Sequence, residues 1–246
     1  MSVVEPDAII DGAGLTSNAN RDRGTQVYEQ LRELIVWGRI APGARIIEAE
    51  VAGRLNVSRT PVRAALQRLQ QEGYVVASGT GQQSRLAVAP LTQEDARELF
   101  EIVAEVEGLA ARRAAERPDA DRVGLVHRLD GINATLLSAA SAPGPDGREI
   151  FDLDQRFHRT YVEAGAGPRL LALHDAVKPQ SERYIRLYIS ALVDEIGTSV
   201  DEHDTTIRAI KHGEAETAQH AVRSNWRNAA DRLSKVIASM GERGAW

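Results

Sequence analysis

Apolar residues follow a helical period in the segment 25–38. The positions that recur on one face of the predicted helix are Val27, Leu31, Leu34 and Ile35. The pattern ends at Gly38, and a Pro-Gly turn follows it. This segment is therefore predicted to be the first helix of a folded unit.

Two further helices, over 48–55 and 58–72, are predicted on either side of a tight link that contains Asn56. Ser58 is expected to be the N-cap of the later helix. Pro61 lies in the first turn of that helix, where a missing N–H costs nothing.

Two short strands, over 74–78 and 85–89, are predicted on either side of a Gly-Thr-Gly turn. Three helices followed by a hairpin within about 65 residues are typical of a winged helix-turn-helix. A small helical bundle that binds no ligand is the alternative interpretation of this pattern.

The remainder of the chain shows almost no strand pattern, and its apolar periodicity is helical. Helices are predicted over 92–116, 119–140, 148–164, 168–192, 193–211 and 214–239. The predicted fold class is therefore mainly α, with an N-terminal winged helix-turn-helix followed by an all-α bundle of about six helices. The predicted domains are a mobile tail over 1–22, a DNA-binding domain over 23–91 and an effector-binding and dimerisation domain over 92–246.

Composition excludes several classes of protein. The 246 residues contain no cysteine, which excludes disulfides, thiolate metal sites and cysteine nucleophiles. No apolar stretch approaches the length of a membrane span, and residues 1–20 lack the basic segment of a signal peptide. The expectation is a soluble, cytoplasmic protein without a membrane partner.

The net charge of −5 conceals a basic segment. Residues 21–91 contain ten arginines and six acidic residues, whereas residues 92–246 contain 20 basic and 26 acidic residues. Such an asymmetry is typical of a nucleic-acid-binding part fused to a different module.

The third predicted helix carries the side chains best suited to DNA. Arg59, Arg63 and Gln67 recur every four residues on the polar face, and Thr60 lies beside them. Arginine can contact guanine edges or phosphates, and glutamine can contact adenine. The alternative is a solvated polar face, which most helices have.

This first segment resembles the N-terminal domain of GntR-family bacterial transcription regulators. The resemblance covers residues 25–78 and rests on the motifs Ile40-Ala-Pro-Gly43, Ile47-Glu48, Val57-Ser-Arg-Thr-Pro-Val-Arg-Ala-Ala-Leu66 and Glu72-Gly73. It implies that the DNA surface includes Arg45, Ser58, Arg59, Thr60 and Arg63. The predicted wing, 78–84, is longer than the short Arg-Gly turn common in the family.

Asp154 and His158 are four residues apart, so they share one face of a predicted helix. His203 lies on a later helix and can complete a set of three ligands. A carboxylate with neutral imidazoles suits zinc, nickel, manganese or iron. The pair taken alone is weak evidence, because this spacing also occurs by chance.

The second segment resembles the FCD effector-binding domain of the FadR-type GntR subfamily. The motifs are Phe151-x-x-Asp154-x-x-Phe157-His158 and Glu202-His203-x-x-Ile-x-Ala-Ile210, followed by Gly213-Glu-Ala. Many such domains hold a divalent metal with one Asp and three His, and the metal holds a small carboxylate. The resemblance assigns Asp154, His158 and His203 to the first three ligand positions.

This chain departs from that ligand pattern at two positions. Asn225 stands where relatives have the fourth ligand, and Val103 stands where many have an inward arginine. Asn225, together with Tyr184 and Tyr188, is predicted to line the effector pocket, although the tyrosines fit an ordinary core equally well.

The predicted function is a ligand-responsive DNA-binding transcription regulator rather than an enzyme. In this interpretation a homodimeric repressor is released from an inverted-repeat operator by a small organic or aromatic acid. One alternative is a metal-dependent enzyme that uses Asp154, His158 and His203 as an open metal site. Another is a module whose helix-turn-helix mediates only protein contacts.

Overall fold

The computed structural model describes residues 13–78 and 85–244, with only the backbone described for residues 13–22. Its helices are α1 (Ala13–Val36), α2 (Glu48–Leu55), α3 (Arg59–Gln71), α4 (Gln93–Ala115), α5 (Asp119–Ala140), α6 (Gly147–Gly165), α7 (Pro168–Leu192), α8 (Ile196–His212) and α9 (Ala215–Met240). Its strands are β1 (Arg45–Ile46), β2 (Val75–Ser78) and β3 (Arg85–Val88).

The chain divides into two compact units. The first unit includes α1 as far as Ile35 and continues over Ala44–Ala89. The second unit consists of Val36–Gly43 and the residues from Pro90 onward. Each unit has buried apolar side chains of its own.

The core of the first unit forms where α1 and α3 turn their apolar faces inward. Its buried side chains include Leu31 of α1, Leu66 and Leu69 of α3, and Tyr74, each exposed by 2% or less. Asn56 ends α2 in the left-handed conformation, with φ of 51°. Asparagine tolerates this conformation, so only three residues separate the end of α2 from the start of α3, and the link is as tight as predicted.

A three-stranded antiparallel sheet completes the first unit, in the order β1-β3-β2. Ala87 of β3 pairs with Arg45 on one side and with Val76 on the other. The two-residue strand β1 was not predicted, because a strand this short has no periodicity and exists only through its pairing with β3. The residues of the predicted wing turn, 79–84, lie outside the described residues.

The N-terminal prediction is wrong in part. Residues 1–12 of the predicted mobile tail lie outside the described residues, but α1 begins at Ala13 rather than at Thr25. Once a helix has nucleated, each added residue gains a hydrogen bond. The helix can therefore extend beyond its apolar face, where periodicity gives no signal.

The second unit is an all-α bundle. The six helices predicted in this part of the chain are present as α4 to α9, with bounds within about two residues of those predicted, except that α8 begins at Ile196 after a short 3₁₀ turn over Val193–Glu195. Thr92 caps α4 with its side chain, which accepts a hydrogen bond from the Asp95 N–H at 3.2 Å. The mainly α fold class is thus confirmed.

The bundle core consists of aromatic and aliphatic side chains from all six helices. Its largest fully buried members include Phe100, Phe157, Tyr161 and Leu125. Within the described chain, no helix combines the length and the apolar character needed to cross a bilayer.

Candidate functional site

The exposed face of α3 carries the residues predicted to contact DNA. Val62, Leu66 and Leu69 are buried, whereas Arg59, Thr60, Arg63 and Gln67 are exposed. Ser58 has the extended backbone of an N-cap, but its side chain makes no capping hydrogen bond. Arg45 is exposed on β1.

Arg63 is held by an acidic partner. Its guanidinium donates to both carboxylate oxygens of Glu48 in the first turn of α2, at 3.1 to 3.3 Å. The Arg63 side chain is 62% exposed, so this ion pair is solvated and weak. A phosphate or base can compete with Glu48 for the guanidinium.

Three predicted metal ligands meet inside the bundle. Ligand atoms of Asp154, His158 and His203 all lie within 4.8 Å of one another. Nε2 of His158 is 4.0 Å from Oδ2 of Asp154, and Nε2 of His203 is 3.7 Å from Oδ1 of the same carboxylate. The helices α6 and α8 thus bring together residues that are 45 or more positions apart in the sequence.

Both imidazoles are fixed through their other nitrogen. Nδ1 of His158 lies 2.7 Å from Oε2 of Glu107, and Nδ1 of His203 lies 3.0 Å from Oδ1 of Asn133. Because the carboxylate oxygen and the amide oxygen both accept, each Nδ1 carries the proton and each Nε2 keeps a free lone pair. This is how metal-binding histidines are commonly oriented.

His203 has the features of a metal ligand. Its Nε2 is buried and has no hydrogen-bond partner, which is costly unless another group binds it. Burial is the main reason that the pKa of His203 lies well below its usual range, and the nearby positive charge of Arg232 acts in the same direction. The ring is therefore neutral, and a divalent ion fits the donors that converge here.

Glu107 lies at the centre of a buried polar cluster that the sequence analysis missed. This fully buried carboxylate of α4 accepts hydrogen bonds at 2.6 to 3.0 Å from His158, Tyr161, His174, Lys178 and Trp226. Burial alone raises the pKa of Glu107, but the positive charge of Lys178 and the hydrogen bonds from His158 and His174 outweigh that effect. The pKa of Glu107 therefore lies well below its usual range.

The sequence did contain a signal for this cluster. Glu107 stands four residues after Val103 and three before Ala110, so it lies on the buried face of α4. A charged residue on such a face needs partners. His174 and Lys178, which share the buried face of α7, supply two of them.

The three residues predicted to line the effector pocket lie in different places in the structure. Asn225 lines the same cavity as Asp154 and His158, and its amide donates to Glu202 at 2.8 Å. Tyr184 and Tyr188 do not belong to the described lining of this cavity.

The hydroxyls of these two tyrosines are bonded elsewhere in the bundle. The hydroxyl of Tyr184 donates to Asp95 at 2.5 Å and accepts from the Thr92 N–H at 3.1 Å. The hydroxyl of Tyr188 donates to the Gly241 carbonyl at 2.9 Å. Helical spacing indicated the inward face of α7, but not which neighbouring helix each hydroxyl would meet.

Comparisons with known proteins agree with this architecture. Residues 23–81 match the family model "Bacterial regulatory proteins, gntR family", and residues 98–228 match the FCD domain. The gluconate operon transcriptional repressor of Bacillus subtilis is 25% identical over 88% of this chain and 87% of its own length. A protein of Paenarthrobacter nicotinovorans named "Probable D-xylose utilization operon transcriptional repressor" is 26% identical over 85% of this chain and 89% of its own length.

The fold is also similar to that of solved regulators. Escherichia coli McbR/YncC superposes with a TM-score of 0.64 at 20% identity, over 87% of this chain and 97% of that one. The alternative of a metal-dependent enzyme is not supported, because the matching family models and these relatives describe transcription regulators. The helix-turn-helix, the FCD match over more than half of the chain and the relatives lead to one conclusion: this chain belongs to the gntR family of bacterial transcription regulators and carries an FCD domain.

Proposed function

We propose that this regulator is a homodimeric repressor whose second unit binds a small organic or aromatic acid through a divalent metal ion. Asp154, His158 and His203 would hold the ion, which is zinc, nickel, manganese or iron by the preferences of these donors. Three protein ligands leave coordination positions open for water or a carboxylate. Acid binding would release an inverted-repeat operator.

One observation carries this proposal. The Nε2 atoms of His158 and His203 both face the carboxylate of Asp154 while their Nδ1 atoms are bonded elsewhere. An empty polar cavity would not require both imidazoles to direct an unprotonated nitrogen at the same point. The ion, when bound, supplies a positive charge that attracts an anionic ligand.

The first unit would bind the operator through α3 and the residues beside it. Arg59, Thr60, Arg63 and Gln67 would enter the major groove, because the exposed N-terminal part of a recognition helix contacts base edges. Ser58 and Arg45 would contact phosphates. Repression is supported by the names of the two operon repressors among the relatives, and chromosomal DNA as target implies a cytoplasmic protein.

Metal content tests this proposal. The full chain, incubated with zinc or nickel and then freed of unbound ion, should retain metal in wild type and lose that capacity in His203→Ala. His127→Ala is the matched control, because His127 is exposed on α5 and outside the triad. Equal metal uptake by wild type and His203→Ala would contradict the proposal.

The departure at Asn225 gives a second measurement of the same site. An amide oxygen is a weaker ligand than an imidazole for these ions, so Asn225→His should tighten metal binding. A competition titration against a chelator measures this change. An unchanged metal affinity would mean that position 225 does not reach the ion.

A further inference from the structure

The cavity beside the metal triad is mostly apolar. Ten of its sixteen described lining residues are apolar, and aromatic rings are contributed by Phe100, Phe151 and Trp226. The space that the centres of water molecules can occupy in it is about 60 Å³. That is room for a few water molecules, so the cavity suits a small ligand.

Arg232, the arginine among the described lining residues, is already paired with a carboxylate. Arg232 donates to Ser199 at 3.1 Å and to both oxygens of Glu202 at 3.0 and 3.2 Å. Glu202 also accepts from Asn225 and Asn228. The Arg232 guanidinium is thus compensated before any ligand enters.

The charge at the triad can be counted in the same way. A divalent ion with the Asp154 carboxylate and two neutral imidazoles carries a formal charge of +1. Deeper in the bundle, Lys178 is paired with Glu107 at 3.0 Å. Glu195, which also lines the cavity, is exposed and adds only negative charge. One carboxylate therefore neutralises the site, and a second would be buried without a cation.

The wall also discriminates against hydroxyl groups. The polar lining residues Ser199, Asn225 and Arg232 already take part in hydrogen bonds within the wall. A hydroxylated ligand would lose its hydrogen bonds to water and would mainly face isoleucine, leucine and aromatic side chains, which return none. An apolar body of the same size gains from the same walls. The side chains Ile185, Ile189 and Leu192 of α7 form one such wall.

We infer that the effector is a small monocarboxylic acid with an apolar aliphatic or aromatic body, and that polyhydroxy acids and dicarboxylic acids are rejected. This inference rests on the proposed metal-dependent binding of an organic acid. Under this inference gluconate, a polyhydroxy acid, is not the effector of this chain, although one relative is named for the gluconate operon.

Calorimetric titration of the zinc-loaded full chain tests the inference. Isovalerate and benzoate are the apolar probes, succinate is the dicarboxylate, and gluconate is the polyhydroxy acid. At least one apolar probe should bind about tenfold or more tighter than succinate and gluconate. The bound probe should also weaken binding of the full chain to DNA upstream of its own gene in a gel shift.

A matched pair of variants assigns the selectivity to the wall. Ile185→Thr introduces a hydroxyl at a lining position, so it should weaken the apolar probe several-fold and reduce its advantage over gluconate. Leu187→Thr is the control, because Leu187 lies on the same helix, is 40% exposed and is outside the described lining. Equal effects of the two substitutions would overturn the assignment to the wall.

Three further outcomes would overturn the inference, and they are distinguishable. If zinc is retained but gluconate or succinate binds more tightly than both apolar probes, the ligand class is wrong while the metal site stands. If zinc is retained but neither apolar probe binds at millimolar concentration, the inferred ligand class is likewise wrong and the metal site still stands. If wild type does not retain zinc, the proposed function itself fails. The inference then fails as well, because it depends on the positive charge of the bound ion.

Discussion

If α3 is the recognition helix, single residues on its exposed face should decide how strongly it binds DNA. Arg59 and Arg63 lie one turn apart on its exposed face, and only Arg63 has a described acidic partner, Glu48. Arg68 lies on the same helix but stacks on the ring of Tyr28 at 3.7 Å. Comparing the loss of Arg59 or Arg63 with the loss of Arg68 therefore separates direct contact with DNA from the effect of the net charge of the helix.

Arg59→Ala and Arg63→Ala should each weaken binding to DNA upstream of the protein's own gene by about 1–3 kcal/mol. Arg68→Ala, which also removes one positive charge from α3, should have a much smaller effect. Gel shifts at several salt concentrations measure both affinity and its salt dependence, which falls as phosphate contacts are lost. Unchanged affinity in Arg59→Ala and Arg63→Ala would exclude α3 as the recognition helix.

A second prediction at this scale concerns the buried carboxylate of Glu107. Glu107→Ala leaves the Lys178 ammonium buried without its counter-charge, so the free energy of unfolding should fall by about 3–5 kcal/mol. Adding Lys178→Met removes the stranded charge and should restore more than about 1 kcal/mol. Urea unfolding of both variants measures this difference.

The control for this experiment is an exposed ion pair. Asp121→Ala breaks a half-exposed pair with Arg117 on the surface and should cost less than about 1 kcal/mol. If Glu107→Ala and the double variant lose the same stability, the pairing with Lys178 does not account for the effect of Glu107.

Whole elements depend on how closely their backbones approach. The end of α6 crosses α4 at Gly165, where an added Cβ would lie 1.9 Å from the carbonyl oxygen of Ala110. That oxygen belongs to the backbone of a buried helix and cannot move aside as a side chain can. The glycine therefore permits the crossing of these two helices, which carry Glu107 and His158.

Gly165→Ala should destabilise the protein by about 1–3 kcal/mol or more, because the clash must separate α6 from α4. Gly131→Ala is the matched control in α5, where an added Cβ meets no atom within 4 Å. It should stabilise the protein by about 0.5–1 kcal/mol through the lower entropy of its unfolded chain. Thermal unfolding of the two variants should shift in opposite directions, and a loss of stability in both would contradict this account.

At the scale of the whole molecule, the DNA-binding unit covers only a short site. One recognition helix contacts few base pairs, and a two-fold dimer doubles the site into an inverted repeat. The proposed homodimer therefore has a measurable consequence for the length of DNA that is bound.

Light scattering of the full chain at micromolar concentration should give twice the chain mass of 26.8 kDa. Footprinting on DNA upstream of its own gene should protect two half-sites about one helical turn apart, because each subunit occupies one major groove on the same side of the duplex. A monomer that still binds a single half-site tightly would contradict the homodimer.

The sequence by itself determined the order and type of most elements. Local patterns are sufficient for that purpose, because caps such as Thr92, turns such as the link at Asn56 and apolar periodicity all act within one or two turns of the chain. The fold class and the pairing of Asp154 with His158 on one helical face follow from such local rules. Local patterns did not reveal two features: α1 extends beyond its apolar face, and β1 exists only through a partner distant in the sequence.

Only the tertiary structure decided which side chains from different helices meet. The approach of His203 to Asp154, the five donors around Glu107 and the diversion of Tyr184 and Tyr188 to the ends of α4 and α9 all depend on helix rotation and crossing. Helical spacing gives the face on which a residue lies, but it does not give the neighbour that this face meets. Close packing between helices fixes that neighbour, and the chemistry of the site follows from it.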